Sequence, residues 1–178
     1  MKYILNILTL LRLLMIPFYF IVFYSNHPDS VMRAMYIFVL ASVTDVLDGY
    51  LARKYDVTSK FGMVADPFAD KMMQLSVLFT LSHVNFLENW FFWFILLKEA
   101  LQIGLGFVMV SMKPRIIIPA NMYGKATTVT IFMTILAAVF QLPGLYFIQI
   151  AVSILATITI IQYSFQFIVE LKKRKKAL

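Results

Sequence analysis

Apolar runs of about 20 residues recur along this chain, separated by short polar stretches, and that repetition decides what it can fold into. In hydrocarbon every backbone N–H and C=O must find a partner within its own segment, so runs of this length read as helices. Composition agrees. Of the 178 residues, 61% are hydrophobic, and the mean hydropathy is +0.82, beyond an ordinary soluble domain. The sequence predicts an all-α integral membrane protein of six transmembrane helices, forming a single membrane domain over residues 1–178. The spans are expected from about Ile4 to Tyr24, Val31 to Arg53, Phe61 to His83, Trp90 to Ser111, Ala126 to Gln141 and Gly144 to Val169. Pro17 is expected to bend the first, and the fifth is short. The first run carries Asn6 and Arg12 and lacks a small-residue cleavage site, so it reads as a span and not as a removable leader. Cysteine is absent, which excludes disulfides and thiol chemistry.

Charge orients the bundle. The formal net charge is +7, and in a soluble protein such an excess would suggest nucleic acid. Here the basic residues cluster at the ends of apolar runs, which points to membrane lipids with anionic headgroups as partners and not to nucleic acid. Lys54 and Lys60 follow the second span; Lys113, Arg115 and Lys125 follow the fourth; Lys172, Lys173, Arg174, Lys175 and Lys176 form the tail. The opposite side carries little beyond Asp29, Arg33 and Glu88. The positive-inside rule therefore predicts a multi-pass protein of the cell membrane with both termini and the two basic loops in the cytoplasm.

Four aspartates stand against the greasy background. Asp45 and Asp48 are spaced i, i+3, and Asp66 and Asp70 are spaced i, i+4, so each pair shares one helix face. The polar stretch from Lys54 to Lys60 reads as a turn between antiparallel helices, which would bring the two faces together at the cytoplasmic side. Charged groups within spans cost about 2.5–3.5 kcal/mol each on insertion scales. Converging carboxylates also repel unless a cation sits among them. Pairing with Arg53, Lys54, Lys60 and Lys71 would neutralise some of them without accounting for the facing spacing. Oxygen ligands without His or Cys suit a hard cation, Mg²⁺ or Mn²⁺. Two such ions would serve to neutralise a diphosphate during displacement. Gly49 and Gly62 flank the site as packing glycines or as points of close approach for a bulky ligand, and Ala52 keeps the same face small. Arg53 lies at the cytoplasmic helix end, as a phosphate anchor or a topology signal.

The run Asp45-x-x-Asp48-Gly49-x-x-Ala52-Arg53, eight residues, then Gly62-x-x-x-Asp66-x-x-x-Asp70 resembles the signature of the CDP-alcohol phosphotransferase family at every fixed position. Chain length, span number and a cytoplasmic site resemble its small bacterial members. The resemblance implies a metal-dependent enzyme, with two Mg²⁺ or Mn²⁺ ions held by Asp45, Asp48, Asp66 and Asp70. It would transfer a phosphatidyl group from CDP-diacylglycerol to an alcohol and release CMP. Asp70 would be the general base for the acceptor hydroxyl, and the protein would be a homodimer. The donor site implied comprises Asn6, Thr9, Asp48, Gly49, Ala52, Arg53 and Gly62. Asn6, Thr9 and Arg12 recur every three residues as a polar stripe, similar to one in small relatives, which favours a nucleotide or phosphate border over interhelical bonding and snorkelling.

The acceptor is read from the loop before the fifth span. Lys113, Arg115 and Lys125 form a cationic cluster, and Gly124-Lys125-Ala126-Thr127 opens the helix, where free amides favour anions. That piece resembles the Gly-Lys-x-Lys-Thr region of family members that make phosphatidylglycerophosphate, shortened by one residue. An acceptor carrying its own phosphate, such as glycerol 3-phosphate, needs this cluster at Lys113, Arg115, Lys125 and Thr127. The plain alternative is positive-inside charge. Within the family the rival is a CMP-forming cardiolipin synthase that takes phosphatidylglycerol. Outside the class stand a divalent-cation transporter, a prenyltransferase and a noncatalytic lipid-binding scaffold. The transporter is disfavoured because the far halves of the spans offer no acidic relay. Lys98 and Glu99 fall in mid-span with Gln102 one turn on. Adjacent residues diverge around a helix, which argues against a mutual salt bridge and leaves a buried network or support of the metal site.

Overall fold

The computed structural model describes residues 2–54, 62–112 and 122–177. They form six helices: α1 Lys2–Phe23, α2 Ser30–Lys54, α3 Gly62–His83, α4 Asn89–Ser111, α5 Met122–Val139 and α6 Leu145–Ala177. No strand occurs among the described residues. Four stretches are long and apolar enough to cross a membrane: Ser30–Leu47, Asn89–Met109, Met122–Val139 and Leu145–Lys172. α1 adds a shorter apolar run, Leu10–Phe23. α3 is not among the four; Asp66, Asp70 and Lys71 dilute its N-terminal half. Pro17 lies inside α1, which continues through it as helix. Large apolar side chains such as Ile21, Tyr36, Phe107 and Phe147 are exposed along the helices, as a lipid-facing surface requires.

The chain divides into two compact units, Met1–Thr80 and Leu81–Leu178. In the first, α1 and α2 pack together across the short connection 24–29. The buried face of α1 includes Arg12, Tyr19 and Phe23. The C-terminal half of α3 meets α1 through Phe20 and Phe79, with ring centroids 6.4 Å apart, and through a buried 2.6 Å hydrogen bond between Tyr19 and Thr80. Thr80 donates its own hydroxyl hydrogen to the Val77 carbonyl, so Tyr19 is the donor in that bond.

The second unit builds on α6, which packs against both α4 and α5. The Glu88 amide donates to the Gln149 side-chain oxygen at 3.3 Å, and Trp90 meets Tyr146 edge-on, joining the starts of α4 and α6. α5 presents Thr127, Ile131, Thr134, Ile135 and Ala138 on one buried face. α3 and α5 end alike. At α3, the Phe86 amide donates to the Leu81 carbonyl and the Asn85 amide to Ser82, with Asn85 left-handed at φ 60°. At α5, Leu142 donates to Ala137 and Gln141 to Ala138, with Gln141 at φ 49°. Both are Schellman closures, which satisfy carbonyls that the helix end would leave open.

Two boundaries differ from the sequence expectation. α5 begins at Met122 rather than near Ala126, so Gly124 and Lys125 belong to its first turn. α6 runs to Ala177 rather than Val169, because no Gly or Pro interrupts the stretch after Gly144 and the lysines are good helix formers.

Candidate active site

Helix register carries the acidic residues inward. On α2 the buried residues Ala34, Phe38 and Ala41 are followed by Asp45, in steps of four, three and four. On α3 the buried residues Thr80, Val77 and Met73 are followed, toward the N-terminus, by Asp70 and Asp66 in the same spacing. Both stripes thus begin as apolar packing and end in carboxylates. Asp45, Asp66 and Asp70 are half-buried.

Asp45 also has a partner that its own helix does not supply. Arg12 Nη1 lies 2.8 Å from Asp45 Oδ1. The guanidinium is buried, at 3% exposure, whereas Asp45 retains 35%. The sequence pattern alone sets Arg12 on the ligand border and offers Arg53, Lys54, Lys60 and Lys71 as counter-charges. The signal that would have found the pair is the register of Arg12 with Tyr19 and Phe23, seven and eleven residues on, both core residues. At about 1.5 Å per residue, Arg12 lies roughly 17 Å before the end of α1, and Asp45 roughly 22 Å after the start of α2, so an antiparallel hairpin brings them to similar height.

The donor set fits a hard divalent cation. Asp45, Asp66 and Asp70 supply only carboxylate oxygens, the donors that such a cation takes, and Oδ1 of Asp45 is the one that meets Arg12. Among the described residues no three acidic or histidine side chains enclose an ion by themselves. The predicted set includes Asp48, whose side chain lies outside the described ones.

The other predicted residues divide. Gly49 is half-buried on α2. The side chains at Asn6, Thr9, Ala52, Arg53 and position 62 lie outside the described ones, though their backbone is helical. Lys113 and Arg115 lie outside the described residues. Lys125 is exposed in the first turn of α5. Thr127 is fully buried, and its hydroxyl lies 2.8 Å from that of Thr159 on α6. Both hydroxyls also lie in reach of a carbonyl one turn back, Tyr123 and Leu155. Thr127 therefore joins α5 to α6. A methyl at Gly124 would meet Thr159 at 3.9 Å, so the same face of α5 carries both.

In mid-α4, Lys98 Nζ lies 2.6 Å from Glu99 Oε1, with 2% and 1% exposure. This corrects the expectation that neighbours on a helix would not pair. The four-carbon lysine stem bends across the turn, which an argument from Cβ directions leaves out.

An all-helical protein with four helices long and apolar enough to cross a membrane, and with carboxylates continuing the buried stripes of α2 and α3, is the class that fold and site define. The chain belongs to the CDP-alcohol phosphatidyltransferase family, which it matches over residues 2–162. That family generally uses divalent metal ions. The chain is 36% identical over 123 residues to a Rickettsia bellii protein named CDP-diacylglycerol–glycerol-3-phosphate 3-phosphatidyltransferase, covering 69% of this chain and 67% of that one. It is 40% identical over 126 residues to a Mycobacterium tuberculosis protein named probable phosphatidylglycerophosphate synthase, covering 69% of this chain and 59% of that one. A Sodalis glossinidius protein with the same name as the Rickettsia one is 37% identical over 106 residues, 60% of this chain and 56% of that one. The aligned stretches thus span between about half and two thirds of these relatives.

Proposed function

We propose that this chain transfers the phosphatidyl group of CDP-diacylglycerol to glycerol 3-phosphate, giving phosphatidylglycerophosphate and CMP. The observation that supports this reading is the half-buried position of Asp45 on α2 and of Asp66 and Asp70 on α3, each continuing a stripe of buried residues, in a chain of this family. The names of the relatives support the donor and the acceptor.

Asp45, Asp48, Asp66 and Asp70 would hold the divalent ions, Mg²⁺ or Mn²⁺ and two in number. The chemistry such ions would supply there is positive charge against the donor's diphosphate and the departing CMP. The protein's own part is positioning and proton transfer. Asp70 takes the proton of the acceptor hydroxyl. That oxygen forms a bond to the phosphatidyl phosphorus as the bond from this phosphorus to the bridging oxygen breaks, and the CMP carries that oxygen away. Asn6, Thr9, Gly49, Ala52, Arg53 and Gly62 border the donor. Lys113, Arg115 and Lys125 take the acceptor's phosphate, Lys125 from the first turn of α5. Thr127, buried against Thr159, supports this site by seating α5 on α6.

The reading carries a topology. All six helices cross the cell membrane as one domain, with both termini and the site at the cytoplasmic side. The family match at residues 2–162 runs through both compact units, which supports the single domain. The donor lipid enters from the bilayer and the soluble acceptor from the cytoplasm. The working form is a homodimer.

Purified protein with labelled CDP-diacylglycerol and Mn²⁺ or Mg²⁺, offered each acceptor in turn, tests the reading. Phosphatidylglycerophosphate is expected with glycerol 3-phosphate. Product with phosphatidylglycerol alone would replace it with cardiolipin synthesis.

A further inference from the structure

We propose that Arg12 is the internal counter-charge of the carboxylate cluster: it holds Asp45 while no metal is bound, and the incoming divalent cation competes against it. The inference rests on the metal-site reading above and adds a residue to which that reading assigns no such role.

Arg12 sits in the apolar run Leu10–Phe23 and is 3% exposed, so its charge is held away from water within the first unit. A guanidinium there is tolerated only beside an anion, because an unpaired buried charge is strongly unfavourable. Asp45 supplies that anion at 2.8 Å. The need is mutual. Asp45 is half-buried in a helix that carries no basic residue beside it, so removing the arginine takes away the cation that meets its carboxylate. In the empty site the guanidinium therefore takes over part of a metal ion's electrostatic role. In the loaded site it opposes the ion, since two cations then share one carboxylate.

Loss of Arg12 should move two measurements in opposite directions. Arg12→Met lowers the melting temperature of the metal-free protein in detergent by about 5–10 °C, the scale of a broken buried pair in a chain of this size. The same variant binds Mn²⁺ about tenfold more tightly, because the repelling charge is gone. A packing role alone would lower the stability of the metal-free and Mn²⁺-loaded forms alike and leave the affinity unchanged. Arg12→Lys keeps the charge and should keep both values close to those of the unsubstituted protein.

The experiment measures thermal unfolding and Mn²⁺ binding by titration calorimetry on the full chain, without substrate. Arg12→Met combined with Asp45→Asn should recover most of the stability that Arg12→Met loses, because the uncompensated charge leaves with its partner. A double variant no more stable than Arg12→Met overturns the proposal. Mn²⁺ binding that is unchanged or weakened in Arg12→Met overturns it as well. An unsubstituted protein that neither binds Mn²⁺ nor is stabilised by it overturns the metal-site reading, and with it the competition between ion and arginine. The double variant would still decide whether Arg12 pairs with Asp45.

Discussion

Lys98→Met is the substitution whose cost the structure fixes most closely. Lys98 lies nine residues into α4, roughly 14 Å along a helix of about 35 Å, so its charge sits near the middle of the span. At 2% exposure it faces Glu99 at 1%, 2.6 Å away. Removing the ammonium leaves a carboxylate buried without that counter-charge, a loss of about 3–5 kcal/mol. Lys98→Met with Glu99→Gln removes both charges and should recover most of that loss, since no carboxylate is then left buried without its counter-charge. Both tryptophans, Trp90 and Trp93, stand on α4, so their fluorescence during SDS-titrated unfolding reads the affected helix directly. A single variant within about 1 kcal/mol of the original would refute the reasoning, as would a double variant no better than the single one.

Asp70→Asn removes the proposed base and should lower turnover by about 10²–10⁴-fold while donor binding persists, as measured by CMP release and by retention of labelled CDP-diacylglycerol. Chelation of divalent cations should abolish CMP release, and Mn²⁺ or Mg²⁺ should restore it. Lys125→Ala should raise the KM for glycerol 3-phosphate by about tenfold with little change in kcat, the pattern of a lost contact to the acceptor's phosphate. Gln141→Gly should stabilise the protein by about 1 kcal/mol, because a residue with a Cβ holds the left-handed position that ends α5. SDS-titrated unfolding measures that gain.

Helices were legible in this sequence because hydrocarbon leaves the backbone few alternatives. Their ends were less so. Gly124 and Lys125 read as loop by type, yet both fit the first turn of a helix, and the lysines after Val169 continue α6 because nothing stops them. At the site, the spacing of Asp45, Asp66 and Asp70 announced which face each would share. It did not announce Arg12, because a partner on another helix depends on how that helix is rotated, and only the burial of Tyr19 and Phe23 shows it. Lys98 and Glu99 were misread for a related reason: Cβ directions do not bound the reach of a lysine. Thr127 was read by analogy of motif, whereas its burial against Thr159 follows from the heptad-like stripe Thr127, Ile131, Thr134, Ile135 and Ala138.

Anomalous diffraction from crystals grown with Mn²⁺ tests the central claim most directly. The account predicts two Mn²⁺ peaks among Asp45, Asp48, Asp66 and Asp70. Peaks confined to other surfaces, or none beside these carboxylates at saturating Mn²⁺, would contradict it.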